Sequence, residues 1–156
     1  MSKKISFRGS LPIGEVDQIR LKTNTGKTGY KITKFQTINR NVGNTTSGEC
    51  SVITKITLTD PTGSVGATVD FTDSDLLATA YYEYNSGSSV NTMPTIIIFD
   101  NKLVNQDIFV SCADARGATD PINYYIELET MSLSDLEATK LTLQNIRTVT
   151  APAGNV

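Results

Sequence analysis

Histidine and tryptophan are both absent from this chain of 156 residues. Histidine is the most frequent general base in enzymes, the commonest metal ligand and the usual switch near neutral pH, so its absence argues against many kinds of catalytic and metal site. The nucleophile patterns Ser-x-x-Lys and Gly-x-Ser-x-Gly are missing as well. The sequence therefore predicts a protein that is not an enzyme and has no catalytic residues.

Cysteine is scarce, since only Cys50 and Cys112 are present. They are far apart in the chain and form no CxxC pair, which argues against a zinc knot and a thioredoxin-type redox site. We expect both to be reduced thiols in the core, and we expect no metal and no cofactor.

Long apolar runs are lacking too. The longest purely aliphatic stretch, 96–98, is far too short to cross a bilayer, which takes about 20 apolar residues in a helix. The first five residues lead into no apolar segment. These features predict a soluble protein made in a cytoplasm, with no membrane partner.

Hydroxyl and amide side chains are abundant, with 22 Thr, 13 Ser and 11 Asn. They suit half-exposed strands and turns better than helix interiors. Alternating or β-rich runs bounded by turn residues occur at 4–8, 15–23, 30–38, 51–59, 66–71, 95–99, 106–112 and 122–130. About eight short strands of this kind predict a single β-rich domain over residues 1–156, an antiparallel two-sheet sandwich or jelly roll.

Two stretches are typical of helix. The first is a short turn over 76–81, capped by Asp73 or Ser74. The second lies near the C-terminus, where Ser134 and Glu137 have the spacing of a capping box. The residues that recur there at helical spacing are Leu136, Thr139, Leu143 and Ile146. We therefore expect a short C-terminal helix that ends near residue 147.

Charge is unevenly distributed along the chain, although the net charge is only −2. Residues 1–40, the basic N-terminal segment, hold nine Lys or Arg against two acidic residues, whereas the remainder is acidic. Such a segment favours an acidic partner, which is nucleic acid, an acidic protein lattice or the acidic part of another copy. Solvated lysines on one sheet face would give the same composition.

Candidate contact residues fall into a basic and an aromatic group. The basic group alternates along the chain with Phe7, Tyr30 and Phe35, a combination typical of grooves that bind single-stranded nucleic acid. A pI near 5.1 nevertheless argues against a specific nucleic-acid partner. The aromatic group suits a subunit contact or a stacking platform for sugars. The predicted interface residues are Lys3, Lys4, Arg8, Lys31, Lys34, Tyr81, Tyr82 and Tyr84.

Glu127 and Glu129 alternate with Ile126 and Leu128, so both carboxylates are expected on one strand face, about 6.5–7 Å apart. A similar spacing occurs between the two acids of some glycosidases. A polar strand face opposite an apolar one gives the same alternation, and it is the preferred interpretation because no cleft can be recognised around the pair.

Five segments carry a resemblance to a known group of proteins. They are GYKITKFQ at 29–36, DFTDSDLLATAYY at 70–82, IFDN at 98–101, NQDIFV at 105–110 and NYYIELETM at 123–131, the last followed by LSD at 133–135. In these segments the chain resembles small virion structural proteins of marine tailed bacteriophages, of the capsid decoration or cement type. The resemblance spans most of the chain and contains no chemical motif.

The resemblance implies a virion component that is assembled in the host cytoplasm, above all a head decoration (cement) protein that binds and stabilises the capsid shell. Its partners would be the major capsid protein or other virion proteins, together with further copies of the chain as a homo-oligomer. A tail-tube, neck or tail-knob subunit is the structural alternative. The alternative from another class is a carbohydrate-binding module built on Tyr81, Tyr82 and Tyr84.

Overall fold

The computed structural model describes residues 2–40, 49–85, 95–99, 102–117 and 120–150, and at 49, 84, 85 and 147–150 it describes the backbone alone. The described residues form nine strands and one helix. In chain order they are β1 (Lys3–Leu11), β2 (Val16–Ile19), β3 (Thr28–Asn39), β4 (Glu49–Thr57), β5 (Leu76–Asn85), β6 (Thr95–Ile98), β7 (Leu103–Val104), β8 (Ile108–Asp114), β9 (Ile122–Ser132) and α1 (Asp135–Thr150).

The strands form two antiparallel sheets. Sheet A has the order β1-β9-β3-β7, and sheet B has the order β2-β8-β4-β5-β6. With β6 set aside, the first strand pairs with the last, the second with the second last, and so on inward to β4 with β5. This nested order is that of one long hairpin rolled into two layers, a jelly roll. The predicted mostly β fold with two sheets and a C-terminal helix is confirmed.

The core between the sheets follows from side-chain alternation along the strands. In β9, Ile122, Tyr124, Ile126 and Leu128 are buried, and the residues between them are partly exposed. Residues from the other strands, including the buried Phe35 of β3, complete the same cluster. Burying one such apolar side chain stabilises the fold by about 1.5–3 kcal/mol, so these inward positions hold the two sheets together.

The outer side of sheet B is covered by residues 58–75. Lys55 Nζ, on β4, donates to the carbonyl oxygen of Thr68 at 3.1 Å. Where this cover returns to the sheet, Asp75 Oδ1 accepts hydrogen bonds from the backbone N–H of Thr59 at 2.7 Å and from its hydroxyl at 2.9 Å. The ring of Phe71 packs edge-on against Phe99, with 5.0 Å between ring centroids. Outward side chains of the inner strands, such as Ser51, Thr57 and Thr79, are therefore buried.

This cover explains two wrong predictions. The run 76–81, predicted as a helical turn, belongs to β5, and its residues 76–80 are all buried. A strand without a polar face shows no alternation, and a short apolar run cannot be assigned to helix or strand by its period. The run 66–71, predicted as a strand, has no strand and lies in the cover. The strand β7 was not predicted, because two residues are too few to show a pattern.

The C-terminal helix has the predicted capping box. The backbone N–H of Ser134 donates to Glu137 Oε1, and the backbone N–H of Glu137 donates to Ser134 Oγ, both at 3.2 Å. The helix packs on an apolar cluster at one end of sheet A, separate from the main core. The members of that cluster are Leu103, Met131, Leu133, Ala138 and Leu141.

Asn105, which follows β7, joins α1 to the sandwich. It is fully buried, and its Nδ2 donates to the carbonyl oxygen of Gly26 at 3.0 Å and to Thr142 Oγ1 at 2.7 Å. Its backbone N–H donates to Asn145 Oδ1 at 3.1 Å. Buried amides need such partners to replace the water that they lose, and here the partners lie on two different segments. The network fixes α1 beside β7.

Tyr124 links the two sheets. Its cross-strand partner in sheet A is Gly9, where a Cβ would lie 2.7 Å from the Tyr124 hydroxyl oxygen and 2.8 Å from Cζ. Glycine is therefore required at position 9 to leave space for the ring. The Tyr124 hydroxyl donates to Asp17 Oδ2 of β2, in sheet B, at 2.8 Å. Burial and this bond to a carboxylate raise the pKa of Tyr124.

Cys50 and Cys112 are buried and are not joined by a disulfide, as predicted. Cys112 lies opposite Thr54 in the β4–β8 ladder. Cys50 is four residues from Thr54, about 13 Å along the strand, which exceeds the Cα separation of a disulfide. Burial raises the pKa of Cys112 to about 12, so this thiol is protonated at neutral pH.

Candidate interaction surface

The outer face of sheet A is the side turned away from sheet B. Residues opposite one another in the ladders of β1, β9 and β3 share this face, because side chains alternate with a period of two. The face is defined by four cross-strand rows: Lys4, Glu129 and Lys31; Ser6, Glu127 and Lys34; Arg8, Tyr125 and Gln36; Ser10, Asn123 and Ile38.

A β-bulge in β3 adjusts this face. The register shifts between Ile32 and Lys34, and the extra residue is Thr33. Its hydroxyl donates to the carbonyl oxygen of Glu127 at 3.1 Å, so the bulged residue is tied to the central strand. Both Thr33 and Lys34 are exposed while Phe35 returns to the core. The bulge thus adds a side chain to the outer face without disturbing the inner one.

Glu127 is held by two neighbours on the same face. Lys4 Nζ lies 3.4 Å from Glu127 Oε1, and the Tyr125 hydroxyl donates to Glu127 Oε2 at 3.2 Å. The facing residue on β3 is Lys34, and Glu129 lies between Lys4 and Lys31 in its row. These contacts fit the interpretation of Glu127 and Glu129 as part of a polar sheet face rather than as a catalytic pair.

A hollow of about 480 Å³ opens at one end of this face. It lies at the rows that hold Arg8 and Ile38, at the opposite end of sheet A from α1. Ile38 is 60% exposed, an unusual position for a large aliphatic side chain. The residues that line the hollow are Arg8, Gly9, Gln36, Ile38, Asn123, Tyr124 and Tyr125.

Arg8 gives the hollow its charge. Within the described ranges no carboxylate lies at ion-pair distance from its guanidinium, whereas Lys4 on the same strand has Glu127. Gln36 and Asn123 add amide donors and acceptors, and Ile38 and Tyr125 add apolar surface. A hollow with a cation that has no carboxylate partner in the described part of the chain, two amides and apolar walls can hold a carboxylate that is attached to an apolar or peptide group.

The structure brings together four of the five predicted basic interface residues. Lys4, Arg8, Lys31 and Lys34 lie on the outer face of sheet A. Lys3 precedes Lys4 in β1, so it points to the opposite side of the strand. The basic segment is not one patch, because its other charges lie elsewhere; one example is Lys27, which pairs with Asp135 at the start of α1 at 2.6 Å.

The predicted tyrosines do not share one surface. Tyr81 lies on the outer side of sheet B, where its hydroxyl donates to Glu83 Oε2 at 3.0 Å. Tyr82, the next residue of β5, packs against the core. Neighbours in a strand point to opposite faces, so these two rings cannot form one platform. The side chain of Tyr84 lies outside the described part of the structure.

Sequence reasoning missed the residues that make the hollow around Arg8, namely Gln36, Ile38, Asn123 and Tyr125. The sequence did contain a pattern that predicts the position of two of them. Asn123 and Tyr125 are in phase with Glu127 and Glu129 on β9, so the alternation that places the two carboxylates also places them. Gln36 and Ile38 join them only through the pairing of β3 with β9, which the sequence does not reveal.

The described residues hold no group of three or more His, Cys, Asp or Glu side chains placed to bind a metal ion. Nor is any helix in the described ranges long and apolar enough to cross a membrane.

No protein-family model matches the sequence, and no curated protein sequence matches it. Among solved structures, the chain is similar to VP1 of trichodysplasia spinulosa-associated polyomavirus in complex with 3′-sialyllactose, with 12% identity, 83% of this chain and 93% of that chain covered, and a TM-score of 0.47. It is also similar to the Merkel cell polyomavirus VP1 unassembled pentamer, with 10% identity, coverage of 83% and 94%, and a TM-score of 0.45. Merkel cell polyomavirus VP1 in complex with 3′-sialyllactosamine gives the same values.

Proposed function

We propose that this chain is a non-enzymatic bacteriophage virion protein, a head decoration (cement) protein that binds and stabilises the capsid shell through the outer face of sheet A. The observation that carries the proposal is the hollow in which Arg8 has no carboxylate partner among the described residues. The sequence resemblance supplies the virion context. The nested strand order supports it, because jelly rolls are frequent in capsid domains.

Charge favours an acidic partner for this face. It carries four basic side chains against two acidic ones, on a chain whose net charge is −2. The basic face therefore stands on a protein that is otherwise acidic. Complementary potential steers encounter and fixes orientation, so the partner is the major capsid protein or another virion protein that presents an acidic surface.

The shape of the hollow indicates what the partner presents. A volume of about 480 Å³ admits a side chain with its flanking peptide groups rather than a whole helix. A carboxylate of the partner would accept hydrogen bonds from two N–H groups of the Arg8 guanidinium, and the amides of Gln36 and Asn123 would bond to the adjoining backbone. Each copy would contribute an interface of several hundred Å², and many copies together would reinforce the shell.

The role in the particle is tested with virions that contain or lack the protein. If the protein is a cement, virions that lack it should lose infectivity and release their genome at lower temperature, or on milder chelation, than virions that contain it. Equal survival of the two preparations under heat and chelation would contradict the cement role.

The docking face is tested by adding purified protein back to particles that lack it. Arg8→Glu reverses the charge in the hollow, and it should weaken binding to the particle by about tenfold or more. Lys22→Glu makes the same charge change outside the outer face of sheet A and serves as the matched control. Equal weakening by both variants would indicate a general charge effect and would contradict docking through the hollow.

Position on the particle separates the head role from the structural alternative. Electron micrographs of particles carrying labelled protein should show the label spread over the head. Label confined to a ring on the tail axis would contradict the head role and would identify a tail-tube, neck or tail-knob subunit. The carbohydrate-binding alternative gains no support from the geometry, because Tyr81 and Tyr82 lie on opposite faces of β5.

A further inference from the structure

Helix α1 has two different apolar faces. The inner face packs on the end of sheet A through Ala138 and Leu141. Leu136 and Leu143 point the other way and are 78% and 58% exposed. Ile146, which is 47% exposed, lies at the border of this outward side, where it also lines a hollow with Leu58 and Phe109. The spacing that predicts the helix from sequence therefore marks its outward side.

The outward residues follow the spacing of a heptad. We call the set Leu136, Thr139, Leu143 and Ile146 the outer stripe. Its members are three, four and three residues apart, like the a and d positions of the seven-residue coiled-coil repeat. Residues 136 and 143 are then a positions, and residues 139 and 146 are d positions. Such a stripe is the seam by which one helix packs along another. Thr139 is compatible with this packing, because its hydroxyl already donates a hydrogen bond within the helix, to the carbonyl oxygen of Asp135 at 2.9 Å.

We propose that the outer stripe is a self-association surface, and that the α1 helices of two or more copies of this chain pack side by side in parallel. A heptad seam is complementary to a copy of itself, since each a residue meets the same a residue of the neighbour. Flanking charges select the parallel orientation. Asp135 occupies the position before a, and Lys140 the position after d. Asp135 pairs with Lys27 of its own copy, but its side chain is 86% exposed, so parallel packing also sets it beside Lys140 of the next copy.

The seam is short, and this sets the strength of the contact. A helix of 16 residues is about 24 Å long, so the stripe buries less than the roughly 800 Å² per partner of a standard interface. The helix is already formed and docked on the sandwich, so association carries no cost of helix formation. The contact is therefore weak between free copies, and it becomes strong when copies are concentrated on a common support.

Single cysteine variants of the full chain test the proposal. Parallel packing places position 136 of one copy against position 136 of its neighbour. Leu136→Cys should therefore form a disulfide-linked dimer on mild oxidation, and the yield should rise with concentration into the millimolar range. Cys50 and Cys112 are buried and should therefore form no disulfide between copies.

Gln144→Cys is the matched control, since residue 144 is exposed on the same helix outside the outer stripe. Equal dimer yields from Leu136→Cys and Gln144→Cys would indicate random collision and would overturn the proposal. Preferential linkage in a mixture of Leu136→Cys with Ile146→Cys, with little linkage of Leu136→Cys to itself, would show antiparallel packing and overturn the parallel arrangement.

Sedimentation provides a second measurement without any cross-link. The apparent mass of the unmodified protein should rise with concentration, whereas Leu143→Asp should remain monomeric at every concentration. An unchanged unfolding midpoint of Leu143→Asp, expected for a residue that is 58% exposed, would confirm that the fold is intact. A monomeric unmodified protein at millimolar concentration would overturn the proposal. The inference does not rest on the virion role, because it is tested on free protein.

Discussion

The outer faces of the two sheets differ in what lies on them. On sheet B, residues 58–75 lie over the strands, and the outward-pointing Ser51, Thr79 and Ser111 are at most 8% exposed. On sheet A, α1 covers one end, and the rows with Arg8 and Ile38 remain open to solvent. The chain therefore completes one side of the sandwich by itself and leaves most of the other side as surface. Three substitutions break or sharpen this difference.

The largest effect is expected from placing a charge under the cover of sheet B. Ile53 is half-buried on the outer side of β4, where it lines a hollow with Val69 and Phe71, so Ile53→Asp should lower the free energy of unfolding by about 2–3 kcal/mol. The same change at Ile38, which is 60% exposed on sheet A, should cost no more than about 0.5 kcal/mol. Chemical denaturation measures both. If the two substitutions lower the free energy of unfolding equally, the outer faces of the two sheets do not differ in burial as described.

The next effect concerns the covered end of sheet A. Asn105→Ala removes the amide that donates to Gly26 and Thr142, and it should lower the free energy of unfolding by about 2 kcal/mol. Lys140→Ala, on the exposed side of α1, should change it by less than about 0.5 kcal/mol. Hydrogen exchange of the α1 amides should rise in Asn105→Ala alone. Unchanged exchange would contradict the role of Asn105 in holding the helix.

The smallest effect concerns the bond between the sheets. Tyr124→Phe removes the hydrogen bond to Asp17, and it should cost about 1 kcal/mol at neutral pH. The folded pKa of Tyr124 is raised above the unfolded value of about 10, so the unfolded chain loses this proton first. The stability that Tyr124 contributes is therefore present below pH 10 and is lost as pH rises above it.

In denaturant titrations, the difference in free energy of unfolding between the unmodified protein and Tyr124→Phe should accordingly become smaller above pH 10. If this difference in free energy of unfolding stays constant from pH 8 to pH 11, the ionisation of the Tyr124 hydroxyl is not coupled to folding. Because the bond joins β9 to β2, this measurement reports on how tightly the uncovered sheet is tied to the covered one.

Local pattern was enough to predict the elements that have one buried and one exposed side. The alternation in β9 and the Ser134–Glu137 capping box both follow from neighbours a few residues apart, and both are confirmed. The failure at β5 has the opposite cause. Its residues 76–80 are buried on one side by the core and on the other by residues 58–75, whose position depends on tertiary contacts, so no period remained to identify a strand.

The candidate surface could be predicted only in part, because it is assembled across strands. The basic residues on β1 and β3 and the carboxylates on β9 were each recognisable as polar strand positions. Their arrangement in rows depends on pairing Lys4 with Glu129 and Lys31 with Glu129, over more than 90 residues of chain. The hollow needs three strands in the correct register, and a slip of one residue would turn Arg8 inward.

Among the described strands, β1 lies at the border of sheet A, and this position bears on whether copies of the chain pair edge to edge. A border strand of nine residues offers unpaired backbone groups to any similar strand, which is a common route to fibrous aggregates. Here that border carries Lys3, Lys4 and Arg8, and like charges on two such borders repel each other. The charges on β1 therefore oppose edge-to-edge pairing of this strand with the same strand of another copy.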